Sequence, residues 1–210
     1  MKTILFYGDS NTWGFDPSTC GRYPLEERWT TICRQMLGAE FYGIPAGMNG
    51  RTTVFDDPFK GCRNGLEGLD YELQSHKPLD LVVLMLGTND LKFTNAAGSA
   101  AGMRTVVEHI LTVNDRFAQS FPVFPDRARI LLVSPVLITG YVNDNTACDE
   151  SRESEKLASL YQEIARENGL DFLDAAKVTG PSGIDGVHLS VEGHARIGRA
   201  IASKILELWH

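Results

Sequence analysis

The stretch "GDSNTWG" (8–14) places Ser10 directly behind the apolar run "ILFY". A serine there could be a turn residue, a helix cap or a nucleophile. It is a weak nucleophile unless a base takes its proton. Five histidines could serve as that base. His194 shares a stripe with Val191, Gly198, Ile201 and Ile205, which is one helical face and predicts a core or boundary residue. His76 and His109 lie on helical patterns, where surface or packing roles are expected, and His210 is terminal. His188 differs, because it follows Asp185 by three residues in "DGVHLS" (185–190), with Gly186 between them to permit a tight turn. A carboxylate at that spacing can accept a hydrogen bond from one imidazole nitrogen and leave the other to take a proton. Alone, the pattern fits equally a turn aspartate beside a helix-capping histidine. Combined with Ser10, it fits a nucleophile, a base and an orienting acid.

Acyl transfer also needs hydrogen-bond donors for the oxyanion that develops on the carbonyl. Three are available. Ser10 offers its own backbone N–H. Gly50, in "GMNGRTT" (47–53), lets a substrate approach the backbone, although a plain turn would also explain it. Asn89, in "GTND" (87–90), offers a neutral side-chain amide or, alternatively, an Asx turn. Asp9 reads as structural, holding the turn by accepting backbone N–H bonds. Trp13 lies three residues beyond Ser10, and its expected role is divided between a wall of the acyl pocket and packing.

These residues must be carried by elements that bring them together. Strand-like runs are predicted at 3–8, 40–45, 79–87, 128–134 and 170–175. Helical patterns are predicted at 28–37, 66–76, 98–119, 153–169 and from Ser190 to Trp209, with Gly38 and Gly169 as stops. The run "LDLVVLMLG" is apolar on both faces, as in a parallel sheet covered on both sides. Strand and helix in alternation predict an α/β fold: a three-layer α/β/α sandwich around a flavodoxin-like, five-stranded parallel sheet. Ligands in such sheets sit beyond the carboxyl ends of the strands. Ser10, Gly50 and Asn89 all follow predicted strands, and His188 precedes the last helix. Segments 54–64 and 138–150 show no period and read as surface loops that shape a site or an interface.

All 210 residues are expected to form one domain, without linker, repeat or low-complexity tract. A net charge of −7 and scattered basic residues argue against nucleic acid or an anionic membrane as partner. No apolar run is long enough to span a bilayer, and the N-terminus lacks the pattern of a secretory signal, so a cytoplasmic location is expected. Cys20, Cys33, Cys62 and Cys148 are widely spaced, which predicts free thiols and no zinc site.

The order Ser10, Gly50, Asn89, His188 resembles the SGNH, or GDSL-type, hydrolase family, whose marker residues are Ser, Gly, Asn and His. "GDSNTWG", "RW" at 28–29, "GRTT", "DDP" at 56–58 and "LDLVVLMLGTND" are most similar to its bacterial arylesterase/acyltransferase branch. The resemblance spans nearly the whole chain. It implies a serine esterase of small carboxylic esters, with Ser10, His188 and Asp185 as triad and Ser10, Gly50 and Asn89 as oxyanion hole. No metal or cofactor is implied, the partner is a small-molecule ester, and a homo-oligomer is expected. The branch also implies that an alcohol can compete with water for the acyl-enzyme, guided by Trp13, Phe15 and the two loops. A carbohydrate O-acetylesterase of the same family is the alternative enzyme, and a non-catalytic ligand-binding domain is the alternative of another class.

Overall fold

Side chains of Lys2–Gly8 (β1) alternate between two hydrophobic cores, and this alternation organises the molecule. Leu5 and Tyr7 point into one core, Ile4 and Phe6 into the other. The computed structural model describes residues 1–116, 121–140 and 149–209. After β1 come a single helical turn α1 (Ser10–Trp13), a small hairpin of β2 (Phe15–Asp16) and β3 (Gly21–Arg22), α2 (Trp29–Leu37) and β4 (Phe41–Gly47). Then follow α3 (Gly65–His76), β5 (Leu81–Met85), α4 (Ala96–Leu111), α5 (Val113–Arg116) and β6 (Ile130–Ser134). The chain continues through α6 (Glu150–Asn168), β7 (Asp171–Asp174) and α7 (Val191–Glu207).

The main sheet has the order β4-β1-β5-β6-β7, and every pairing is parallel. Pro45 pairs with Phe6 and is tolerated because β4 is an edge strand. One face of the sheet packs on α3, α4 and α6 through residues such as Leu73, Met103 and Leu157. The other packs on α2 and α7 through Trp29, Cys33, Ile197 and Ile201. This is the expected α/β/α sandwich with flavodoxin-like strand order. The order reverses direction at β1, between β4 and β5, where a crevice opens at the carboxyl ends.

Two elements differ from the pattern in the sequence. The helix expected over 98–119 starts at Ala96, where Asn95 Oδ1 accepts from Gly98 N–H at 3.0 Å, and it ends at Leu111. Thr112 hydrogen-bonds back to Glu108 O at 2.9 Å, and α5 adds one further turn. Asn114 then ties the chain to Val123 and Phe124, which turns it away from the helix axis. Residues 117–119 of the expected helix lie outside the described residues. The hairpin of β2 and β3 was not legible. It is built on Asp16, whose carboxylate accepts from Ser18 N–H, Ser18 Oγ and Thr19 Oγ1 at 2.6–2.9 Å. Segment 54–64 is a loop as expected; of 138–150, residues 141–148 lie outside the described residues. Cys20, Cys33 and Cys62 are free thiols, and Cys148 and His210 are likewise outside the described residues.

Candidate active site

β1 ends at Gly8, and Asp9 caps the one-turn helix α1 by accepting from Asn11 N–H at 2.9 Å. Ser10 opens that turn, 7% exposed. Its hydroxyl meets His188 Nε2 at 2.9 Å, and His188 Nδ1 lies 2.6 Å from Asp185 Oδ2. Burial works to raise the Asp185 carboxyl, but hydrogen bonds from the His188 ring and from the backbone N–H groups of His188 and Val187 outweigh it. The net result holds Asp185 below its ordinary value. An ionised Asp185 assigns the Nδ1 proton to the bond between them, so Nε2 accepts from Ser10.

The loop that carries His188 is tied to itself. Val187 and His188 N–H both donate to Asp185 Oδ1 at 3.0 Å, and Ser182 N–H donates to His188 O at 2.6 Å. Gly186 has φ 69°, and a Cβ there would stand 2.3 Å from Gly140 N, so only glycine fits this turn. Asn11 joins the two halves of the site. Its Oδ1 accepts from Leu189 N–H at 2.9 Å, and its Nδ2 reaches Val187 O at 3.5 Å.

Gly50 and Asn89 arrive from β4 and β5. Gly50 has φ 77°, and a Cβ there would meet Arg63 Nε at 3.2 Å. Asn89 is 6% exposed; its Nδ2 donates to Arg51 O at 3.1 Å, and Lys92 Nζ donates to its Oδ1 at 2.7 Å. The lysine therefore fixes which end of the amide faces the site. Burial lowers the Lys92 ammonium from its ordinary value, and Glu150 works against that shift. Arg51 Nη1 donates to Gly8 O at 2.8 Å and to Ala46 O, with its guanidinium 4.1 Å from the centre of the Tyr7 ring. It thus clamps the ends of β1 and β4. Asp90 accepts from Thr53 N–H, Thr53 Oγ1 and Ser99 Oγ at 2.7–2.8 Å. Burial pushes the Asp90 carboxyl up to about 6 against those bonds.

Ser10, Gly50, Asn89, Asp185 and His188 all line one cavity of ≈ 560 Å³. Trp13 does not line it. It stands three residues beyond Ser10 in the same turn α1, which Gly14 closes in the left-handed region, and its ring packs 4.5 Å from the Arg22 guanidinium, the packing role of the two expected. Phe15 forms the wall, its ring centre 4.3 Å from that of His188. His194 is buried on α7, with burial, Arg28 and His188 lowering it to about 4. Its Nδ1 accepts from Trp29 N–H at 3.3 Å, a packing role as expected. Asn11, Arg51, Asp90, Lys92 and Glu150 were not singled out by sequence reasoning. Arg51 and Asp90 lie inside the quoted motifs, but each has a partner far along the chain, Gly8 at 43 residues and Thr53 at 37. Among the described residues no group of three or more His, Cys, Asp or Glu is placed to hold a metal ion, and no helix is long and apolar enough to cross a membrane.

Comparison with known proteins agrees with this geometry. Est24, a carbohydrate acetylesterase from Sinorhizobium meliloti, superimposes with a TM-score of 0.91 at 34% identity, covering 99% of this chain and 100% of that one. A carbohydrate acetylesterase family member from the same organism gives 0.90 at 36% identity, covering 99% of each chain. The aryl esterase of M. smegmatis gives 0.90 at 33% identity, covering 99% of this chain and 100% of that one. A search of curated proteins found no match. The model of the GDSL-like lipase/acylhydrolase family matches residues 6–196. With that match across nearly the whole chain, and serine, histidine and aspartate hydrogen-bonded in series at the crevice, the protein belongs to the GDSL-like lipase/acylhydrolase family and is a carboxylic ester hydrolase by class.

Proposed function

We propose that the protein hydrolyses small carboxylic esters through an acyl-enzyme on Ser10, with the whole chain acting as one catalytic domain. The observation that carries this is the hydrogen-bonded relay from Ser10 through His188 to Asp185, at 2.9 and 2.6 Å. Ser10 Oγ attacks the ester carbonyl while His188 Nε2 takes its proton. Asp185 keeps the imidazole in the required tautomer and stabilises its positive charge. The tetrahedral oxyanion is held by the backbone N–H groups of Ser10 and Gly50 and by Asn89 Nδ2, the amide end that Lys92 leaves free to face the site. His188 then protonates the departing alcohol. Water, or an alcohol entering the same cavity, attacks the acyl-enzyme with His188 again as base. The reading places the protein in the cytoplasm as a homo-oligomer, with no membrane or nucleic-acid partner; the net charge of −7 supports the latter.

A fluorophosphonate probe tests the assignment directly. The purified protein is expected to be labelled at Ser10, and Ser10→Ala is expected to lose labelling and about 10⁴-fold or more of its turnover. A Ser10→Ala variant that keeps most of its activity would remove the nucleophile, and an unlabelled wild type would favour a non-catalytic binding domain. Light scattering of the same preparation reads the oligomeric state.

A further inference from the structure

Lys92 closes the five-residue turn Thr88–Lys92 that follows β5, three places after Asn89. In a turn of this 3₁₀ form, side chains three apart lie one above the other. Lys92 Nζ reaches back to Asn89 Oδ1 at 2.7 Å, the length of a charge-assisted hydrogen bond. Lys92 as a whole is exposed at the cavity wall, but its charged end stops on the oxygen of a residue only 6% exposed. The turn between them is anchored, because Asp90 is bound to Thr53 and Ser99 at 2.7–2.8 Å and Leu91 is fully buried. Glu150, the first residue of α6, lines the same cavity and favours the positive charge, yet the hydrogen bond of Lys92 goes to the neutral amide. The other end of that amide, Nδ2, donates to Arg51 O at 3.1 Å with one hydrogen. A cation on an amide oxygen draws electron density towards it, and the amide N–H groups become stronger donors.

We propose that Lys92 is a positioning residue that acts through Asn89: its positive charge polarises the amide, strengthens the Nδ2 hydrogen aimed at the oxyanion, and makes turnover depend on the lysine staying protonated. The proposal rests on the Ser10 reading above. Loss of the proton leaves a neutral amine, which orients the amide weakly and no longer polarises it. That loss falls below the ordinary lysine range. Burial is the main cause and Lys60 adds to it, while Glu150, Asp9 and Asp57 oppose it. Arg63, Asp185 and His188 line the same cavity, and Asp90 shares the turn. The sign follows: kcat is complete while Lys92 is charged and falls as pH rises through its titration, giving an alkaline limb opposite the acid limb of His188.

The test measures kcat and KM for phenyl acetate between about pH 6 and pH 10. Lys92→Met is expected to lower kcat at pH 7 about 10-fold, the lower end for a hydrogen bond to a charged group, with KM nearly constant and the alkaline limb gone. Lys92→Arg keeps a charge that does not titrate in this range, so it is expected to recover part of kcat and to lack the limb; it also serves if the methionine variant misfolds. A limb that persists in Lys92→Arg belongs to another group, such as the Cys20 thiol on the same wall, and overturns the proposal. The double variant Asn89→Ala/Lys92→Met is expected to be no slower than Asn89→Ala, because the lysine then has nothing to act through. Additive losses would make Lys92 a direct substrate contact and overturn the relay through Asn89. Fluorophosphonate labelling of the same samples separates the two claims. Labelled variants with additive losses defeat the role of Lys92 alone, whereas an unlabelled wild type defeats the Ser10 reading beneath it.

Discussion

Asn89 is held at both ends, with Lys92 on its oxygen and Arg51 O on one amide hydrogen, which leaves the other hydrogen directed by geometry rather than by chance. Asn89→Ala is therefore expected to lower kcat about 10²–10³-fold, the usual loss for one oxyanion donor, with KM nearly constant. A rise in KM with kcat unchanged would make it a binding residue. Asn11 acts at one remove. It holds the backbone of 187–189 on either side of His188, so its loss loosens His188 relative to Ser10. Asn11→Ala is expected to reduce kcat about 10- to 100-fold, as small misplacements of catalytic groups do. Asn11→Asp keeps the acceptor for Leu189 N–H and is expected to lose less; equal losses in both variants would assign Asn11 to substrate contact. The types and spacing of Ser10, Asp185 and His188 made their convergence at one site legible. For Trp13 the sequence left pocket wall and packing open, because i, i+3 spacing does not show which neighbour a ring meets; the ring packs on Arg22. Glu150 gave no signal, since an acidic residue at a helix start is commonplace.

At the scale of elements, two buried titratable groups tie the layers together and set how stability responds to pH. His194 on α7 satisfies the first free N–H of α2, for which Arg28 provides no side-chain cap. Its folded value of about 4 lies below the ordinary 6.5, so its stabilising contribution is complete above 6.5 and is lost as pH falls through about 4. The span corresponds to about 3 kcal/mol. Urea midpoints between pH 7 and pH 4 are expected to fall less steeply in His194→Gln than in the wild type; parallel slopes would refute this. Asp90 has the opposite sign. Its folded value of about 6 lies above 3.8, so its contribution is complete below 3.8 and is lost as pH rises through about 6, again about 3 kcal/mol. The stability advantage of wild type over Asp90→Asn is expected to shrink between pH 4 and pH 7. A constant difference would place Asp90 in a wetter setting than its burial implies. The strands β1, β5 and β6 and the long helices were legible because they bury apolar runs or stripes. The hairpin of β2 and β3 and the break at Thr112 were not, because side-chain hydrogen bonds decide them.

The molecule as a whole places its site where the sheet order reverses, and the carboxyl ends of β1, β4 and β5 deliver Ser10, Gly50 and Asn89 to one crevice. This much followed from the alternation of strands and helices. His188 is different: no strand delivers it, and its loop is held by α1 through Asn11 and by the chain after β6, where Thr139 N–H donates to Gly186 O at 2.8 Å. Ser10 and its hydrogen-bond partner His188 are thus 178 residues apart in sequence. That separation has a consequence in time. Contacts between distant parts of a chain close late, after local structure has formed. On dilution from urea, far-ultraviolet circular dichroism is expected to recover first and esterase turnover last. On the ribosome, too, a nascent chain displays Ser10 long before the residues around His188 emerge, and only then can the 2.9 Å pair between them form.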